Sequence, residues 1–393
     1  MKKLMILGAG ILQLPAILKA KEMGLEVIAV DQDKDAVGFL HADVKCVVST
    51  IDIEGVAKAA DHYGVDGIMT LATDMPVRSV AAVCDKNNLP GLPGEAALLA
   101  TDKSFMRERL REKNIDIPAF YTVSDYEQYL QAVEALKTKI IVKPTDNSGS
   151  KGIYLLQSLS DAGKAYRHAM SYSRSGKILV EEYMQGPEVS VEAITQNNRT
   201  HIIAITDKIT TGPPNFVEMG HSQQSRLDKA TKNQIEAVTI ETIQAIGINQ
   251  AASHTELKIT ENGVKVVEIG ARLGGDHITT KLVPLSTGID LVKECIKLAL
   301  GEEVDVAKQY CKGAAVKYIK SKVGTLRGVH GYQQAISIPG VQEVQMYKRE
   351  GEHIGEICSS GDRIGCVISQ GCDAEEALRI CDKALNTLEI VTD

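Results

Sequence analysis

Residues 255–276 read T-E-L-K-I-T-E-N-G-V-K-V-V-E-I-G-A-R-L-G-G-D. The pattern is that of a β-hairpin. Residues 257–259 and 264–269 are β-prone runs, and Asn262-Gly263 supplies the turn. A loop of Glu261, Asn262 and Gly263 centres the register on Asn262. Ile259 is then expected to face Lys265, and Glu256 to lie opposite Glu268. Side chains alternate along a strand. His254, Glu256, Lys258, Val266, Glu268 and Gly270 would therefore share one face, and Leu257, Ile259, Val267 and Ile269 the other. The first face carries two carboxylates side by side, with Arg272 just beyond. Like charges directly opposite destabilise a sheet. A hard divalent cation such as Mg²⁺, which takes carboxylate oxygens and phosphates, would resolve the conflict. A solvated sheet face with chance acids satisfies the same pattern.

The composition narrows the field. A length of 393 residues suits two or three domains. The net charge of −7 gives no basic footprint, which argues against nucleic acid as a partner. Aromatic residues make up 4% and Trp is absent, so base-stacking platforms are not expected. No apolar run reaches the length of a membrane span, and no membrane partner is expected. Met1-Lys2-Lys3 and residues 4–7 are too short for a signal segment and read better as a first strand. The eight cysteines are scattered without a C-x-x-C pair or a Cys/His cluster, which points to a reducing, cytoplasmic setting.

Outward from the hairpin, residues 2–90 alternate strand and helix, which implies a parallel sheet with helices on its faces. Gly8-x-Gly10 follows the first strand, and Asp31 ends the second. The third position of a dinucleotide fingerprint is Gln13 rather than Gly, so tight strand-to-helix packing is the better reading. Asp74 follows a later strand at its carboxyl end, where open α/β sheets bind ligands; it would border a substrate or cap a helix. Leu89-Pro90-Gly91-Leu92-Pro93-Gly94 is a domain boundary. Lys103 opens a basic helix. A strand over 139–143 ends in Lys143, an ammonium that would be costly to bury unpaired. The Gly/Ser-rich loop that follows (Asn147, Ser148, Gly149, Ser150, Lys151, Gly152) is not a P-loop. Its amides and hydroxyls suit either a cover over a polyphosphate or an ordinary polar hairpin. A strand over 178–184 carries Glu181 and Glu182, and the turn at Gly186-Pro187 brings in Glu188. Residues 208–221 read as an irregular loop whose Glu218 and His221 are candidates for substrate contact. Residues 284–300 read as one helix. The last 90 or so residues form a small α+β lobe with no evident chemistry.

Taken in this order, the residues resemble the ATP-grasp superfamily of carboxylate–amine ligases over nearly the whole chain. That resemblance implies a multidomain α/β and α+β fold. A Rossmann-like preceding domain would span 1–94 and a two-lobe nucleotide clamp 95–300, with a mobile lid at about 123–184. A C-terminal α+β lobe over 301–393 would complete the clamp. It implies ATP and Mg²⁺, with Mn²⁺ as an alternative, and metal ligands at Glu256 and Glu268. Nucleotide contacts would come from Lys103 in D-K-x-x-M, Lys143 in V-K-P, and Asn147, Ser148, Gly149, Ser150 and Gly152. Glu181, Glu182, Tyr183 and Met184 would form the adenine hinge, with Glu181 toward the exocyclic amine, and Glu188 would take the ribose. Arg272 and Lys143 would be the catalytic pair. Gly270 departs from the family, which commonly has Asn there. D-K-x-T-T-x-P-P-x-F-V-E-x-G-H, H-T-E and E-x-x-A-R-L-G-G-D look most like the bacterial L-amino-acid ligases that make dipeptides. Glu218, His221, Arg272 and Asp74 would then face the substrates, which would be small carboxylates and amines, and the protein would be a homodimer.

Three other readings compete. A purine-pathway ligase or carboxylase acting on a phosphoribosyl amine would want further Arg or Lys for the phosphate, of which Arg78 is one. An NAD-dependent oxidoreductase is opposed by Gln13 and by the lack of a matching catalytic His. A non-catalytic nucleotide-binding module is opposed by the presence of every phosphate and metal position.

Overall fold

The computed structural model describes residues 1–393 except Thr138, Ser148 and Ser150. Strands β1 (Lys3–Leu7), β2 (Glu26–Asp31), β3 (Val44–Val47) and β4 (Gly67–Thr70) form a parallel sheet in the order β3-β2-β1-β4. Residues 4–7 and 27–30 are wholly buried, because helices cover both faces of a parallel sheet. Gln13 fills the first turn. Its Nε2 donates to the Leu71 carbonyl at 2.6 Å, and a Cβ on Gly8 would lie 2.8 Å from its Cδ. Asp31 accepts from the Ala9 amide at 2.8 Å. Both features of the would-be dinucleotide motif are thus spent on holding the strand-to-helix turn.

Strands β5 (Phe120–Val123), β6 (Ile140–Pro144), β7 (Tyr154–Leu156) and β8 (Ile178–Glu182) form an antiparallel sheet in the order β5-β8-β6-β7. Helices Tyr126–Leu136 and Ala162–Tyr172 back it. Together they bury a separate apolar core around Tyr129, Val142 and Val180.

The third sheet is the scaffold of the site. Strands β9 (Glu188–Gln196), β10 (Arg199–Thr210), β11 (Glu218–Gln223), β12 (Ala251–Thr260) and β13 (Gly263–Gly270) are joined by β14 (Gly313–Tyr318), β16 (Val341–Met346) and β18 (Gly365–Gly371). The order is β13-β12-β9-β10-β11-β14-β18-β16. Strands β15 (Gly324–His330), β17 (His353–Ile354) and β19 (Glu389–Thr392) make a small separate sheet. Chain segments on both sides of residue 300 therefore share one hydrogen-bonded sheet. Helix Lys229–Ile246 packs its apolar face under β12 and β13, burying Ile235, Ile243 and Ile246 against Leu257, Val264 and Val266.

Three expectations are corrected here. The hairpin turn is one residue tighter than expected. Thr260 pairs with Gly263 and Ile259 with Val264, and a bulge at Val267 then restores Glu256 opposite Glu268. The two offsets cancel. Val266 consequently turns into the core, while Val267 lines the cleft. Residues 208–221 are not a loop throughout, because Lys208, Glu218 and His221 all lie on paired strands and Lys208 stands opposite His221. Sheet pairing overrides the weak strand propensity of that Gly/Pro-rich stretch. Residues 284–300 are two helices, Val283–Thr287 and Leu291–Ala299, separated by Gly288 at φ 81°.

Candidate active site

A cleft of about 970 Å³, counting space open to solvent, lies between the β5–β8 sheet and the large sheet. Lys143, at the end of β6, and Glu181, on β8, face it from one side. Glu181 is 3% exposed, a costly place for a lone carboxylate. Two cations resolve this. Lys143 Nζ lies 2.6 Å from Glu181 Oε2, and Arg107 Nε lies 2.6 Å from Oε1. Burial pushes the Glu181 carboxyl up, but Arg107 and Lys143 outweigh it and hold the value at about 2. Burial also lowers Lys143, and Arg107 beside it adds to that, against the pull of Glu181. Arg107 reaches across to the bulge, where its Nη2 donates to the Val267 carbonyl at 2.7 Å. The extra residue in β13 is thus anchored by a buried guanidinium.

Lys103 is the first residue of helix Lys103–Glu112, which Asp102 caps by accepting from the Ser104 amide. Lys103 Nζ lies 2.8 Å from Glu268 Oε1 and donates to the Asn147 carbonyl at 2.6 Å. One ammonium therefore ties the hairpin floor to the loop above it. Burial disfavours its charge, but Glu268 outweighs burial and the Lys103 value is raised.

The other floor carboxylate has its own cation. Lys208 Nζ stands 2.6 Å from Glu188, 3.2 Å from Glu256 and 3.3 Å from Glu218, with only 3% of its side chain exposed. Burial works against this ammonium, yet Glu188, Glu256 and Glu218 together hold it well above its ordinary range. Burial likewise pushes Glu256 up, and Lys208 and His254 bring it well below the usual carboxylate range. Sequence reasoning quoted Lys208 inside D-K-x-T-T but gave it no role. The available signal was a lysine in a run of β-branched residues.

Glu192, fully buried on β9, was also missed. Its Oε1 lies 2.5 Å from His254 Nδ1, and its Oε2 accepts from the Gly274 amide at 3.1 Å. His254 Nε2 lies 3.4 Å from Glu256 Oε1. Arg272, on the loop that ends in Gly274, reaches the N-terminal domain. Its Nη2 donates to Asp74 Oδ2 at 2.8 Å, and its Nε lies 2.8 Å from Oδ1. A Cβ on Gly270 would lie 2.6 Å from Asp74 Oδ1 and 3.3 Å from Arg272 Cζ. The absence of a side chain at 270 is what leaves room for this pair.

His221 is 1% exposed, with its Nε2 3.5 Å from Asp276 Oδ2. Arg363 comes from the C-terminal lobe and holds both Asp276 oxygens at 2.7 Å, its guanidinium 3.8 Å from the centre of the Tyr318 ring. Burial raises the Asp276 carboxyl, but Arg363 and His221 hold it far below the usual range. Nothing local in the sequence marks Arg363.

One cleft thus brings together Lys103, Lys143, Asn147, Gly149, Glu181, Glu182, Tyr183, Met184, Glu188, Glu218, Glu256 and Glu268. Asp74 and Arg272 lie past its Lys103 corner, and His221 lies behind Glu218. Gly152 packs away from it, where a Cβ would lie 2.7 Å from Tyr172 Cβ. Ser148 and Ser150 lie outside the described residues. Among the described residues no helix is long and apolar enough to cross a membrane.

Residues 136–281 match an ATP-grasp domain, and residues 317–393 match an L-amino acid ligase C-terminal domain. Alanine–anticapsin ligase of Bacillus subtilis (strain 168) is 24% identical over 315 residues, an alignment covering 74% of this chain and 66% of that protein. The L-amino acid ligase from Bacillus licheniformis superposes with a TM-score of 0.88 at 22% identity, over 100% of this chain and 99% of that one. Phosphoribosylglycinamide synthetase from Anaerococcus prevotii superposes with a TM-score of 0.81 at 25% identity, over the whole of both chains.

Proposed function

The chain belongs to the ATP-grasp carboxylate–amine ligases, and from that premise we propose that it joins a carboxylate to an amine through an acyl phosphate, with an L-amino acid among its substrates. The observation that carries this reading is the placement of three buried ammonium groups, Lys103, Lys143 and Lys208, around one cleft whose floor is Glu256 and Glu268.

ATP would enter with adenine against residues 182–184 and the ribose toward Glu188. The Glu181 carboxylate already serves Arg107 and Lys143, so the adenine edge would meet the backbone of the hinge rather than that side chain. Lys143, Lys103 and the loop carrying Asn147, Ser148, Gly149 and Ser150 would surround the triphosphate. Glu256 and Glu268 suit a hard cation. Glu256 pairs with Lys208 and Glu268 with Lys103, and both carboxylates line the cleft. Among the described residues no group of three or more metal-binding side chains occurs. Two carboxylates completed by phosphate oxygens and water are the usual setting of Mg²⁺, and Mn²⁺ accepts the same donors. The bound cation would neutralise charge on the transferring phosphoryl group.

The substrate carboxylate attacks the γ-phosphorus in line and ADP departs, a step governed by positioning and electrostatics. Arg272, planar and fixed by Asp74, would hold the carboxylate or the acyl phosphate. The Glu192–His254 pair would keep Glu256 aimed at the phosphates and, through Gly274, steady the Arg272 loop. Glu218 would receive the substrate ammonium, with His221 and Asp276 behind it. Division of labour would follow the chain: residues 1–94 close the substrate side, the lid at about 123–184 covers the nucleotide, and 301–393 backs Glu218. The eight free thiols suit a reducing cytoplasm, and a homodimer is the family's expectation.

The test is phosphate release from Mg²⁺–ATP with pairs of amino acids. Release that needs both a carboxylate and an amine supports the reading. Release indifferent to added substrates would refute it.

A further inference from the structure

Glu192 begins a row that crosses three strands. On β9 it stands opposite His254 of β12, and His254 stands opposite Gly270 of β13. Cross-strand partners share a face, so the three positions are neighbours. A carboxylate with no exposed surface needs a partner for each oxygen. Glu192 uses its two oxygens on different parts of the site. Oε1 lies 2.5 Å from His254 Nδ1, and Oε2 accepts from the Gly274 amide at 3.1 Å. The imidazole carries the first contact onward, with its Nε2 3.4 Å from Glu256 Oε1 on the cleft floor. Gly274 is pinned from its other side by Thr279, whose Oγ1 donates to the Gly274 carbonyl at 2.6 Å. No side chain fits at 274, where a Cβ would lie 2.7 Å from His254 Nδ1 and 2.8 Å from Glu192 Oε1. Arg272 is two residues back along the same loop. It lies over the third member of the row, since a Cβ on Gly270 would stand 3.3 Å from its Cζ. The loop is thus held by Asp74 at Arg272, by Glu192 at Gly274 and by Arg363 at Asp276. Of these holds, the one through Glu192 leads to the floor.

We propose that Glu192 is a positioning residue that couples the two halves of the site: engagement of Glu256 by a cation stiffens the loop carrying Arg272, and engagement of Arg272 favours the cation in return. The link is a chain of hydrogen-bonded groups, Glu256 to His254 to Glu192 to Gly274, buried where packing leaves little slack. Glu256 drawn toward a cation restrains His254, His254 restrains Glu192, and Glu192 holds the Gly274 amide. The return effect follows because coupling between two binding events is reciprocal. From the ligase reading this inference takes only the roles of Glu256 and Arg272.

The experiment is hydrogen–deuterium exchange over residues 271–279 of the full chain. The chain is bound to a non-hydrolysable β,γ-imido analogue of ATP, with Mg²⁺ or with a chelator. In the wild type Mg²⁺ is expected to slow exchange of this segment by about fivefold or more. Glu192→Ala removes the link, and Gly274→Ala forces the loop and the pair apart while keeping both side chains of the pair. In each the Mg²⁺ effect is expected to fall below about twofold. Glu192→Gln offers an oxygen to the Gly274 amide and an NH₂ to His254 Nδ1, and is expected to retain the effect. A Glu192 that only supports the fold would loosen the segment equally with and without Mg²⁺. That result, or a wild-type segment indifferent to Mg²⁺, overturns the inference and leaves the ligase reading standing. Phosphate release indifferent to carboxylate and amine, beside an intact Mg²⁺ effect on exchange, overturns the ligase reading and leaves the coupling standing. Failure of the analogue to bind with Mg²⁺ in a calorimetric titration overturns both.

Discussion

Asp74 and Arg272, 198 residues apart in the chain, meet through two contacts of 2.8 Å and bind the N-terminal domain to the loop that follows the cleft floor. The pair exists because residue 270 is glycine. Gly270→Ala places a Cβ about 2.6 Å from Asp74 Oδ1, so one partner must move. Overpacking of this kind costs about 1–3 kcal/mol. The expected kinetic result is a fall in kcat with little change in the KM for ATP, because the proposed nucleotide position is on the other side of Glu268. A variant with unchanged kcat would remove Arg272 from the reaction.

Glu268→Gln keeps the shape of the floor and removes one charged oxygen. The Mg²⁺ concentration for half-maximal ATP turnover is expected to rise by about tenfold or more. Titrating Mg²⁺ against the rate reads this directly, and an unchanged midpoint would sink the metal assignment.

Lys208→Met leaves Glu188, Glu218 and Glu256 without the cation they share. Breaking a buried ion pair from one side costs about 3–5 kcal/mol. A large drop in the urea midpoint is expected. Mg²⁺ should recover part of it, since it would neutralise Glu256, one of the three. A variant as stable as the wild type, with or without Mg²⁺, would show that the acids do not depend on Lys208.

Glu181 sets an acid limit. Its value falls from an ordinary 4.5 to about 2 in the folded chain, so its contribution is fully present above pH 4.5 and is lost as the pH falls through about 2. The size is of order 3 kcal/mol. Unfolding midpoints measured between pH 5 and 3 should fall more steeply for the wild type than for Glu181→Gln. Parallel slopes would mean that Arg107 and Lys143 do not stabilise the carboxylate.

The parts of this site that were legible in the sequence are those decided by short-range rules. Alternation along a strand and a turn at Asn262-Gly263 were enough to put Glu256 opposite Glu268, although the turn is tighter than expected and only the Val267 bulge restored the pairing. Lys103 and Lys143 were found through their local motifs. Lys208, Glu192, Arg107 and Arg363 were not. Each takes its meaning from partners brought close by strand order or by helix packing, as when β9 lies between β10 and β12 and sets Glu188 beside Lys208. Gly270 was visible as a departure, but its reason lies in Asp74, on the loop that follows β4 in the N-terminal domain. The stretch 208–221 was misread because its prolines and glycines hide two strands that only the neighbouring strands hold straight.

Strand β14 pairs with β11 so that Val316 stands opposite His221 and Lys317 opposite Gly220. The join between clamp and C-terminal lobe is therefore a backbone seam running past the residues that would greet the amino acid. A chimaera that exchanges the lobe from residue 301 onward imports a new seam with it. The graft would replace Arg363, hence the clasp on Asp276 and the wall behind Glu218, while leaving the nucleotide half untouched. Substrate choice in such hybrids should be inherited from the donor of the tail, a short cassette that contains none of the cleft's lysines.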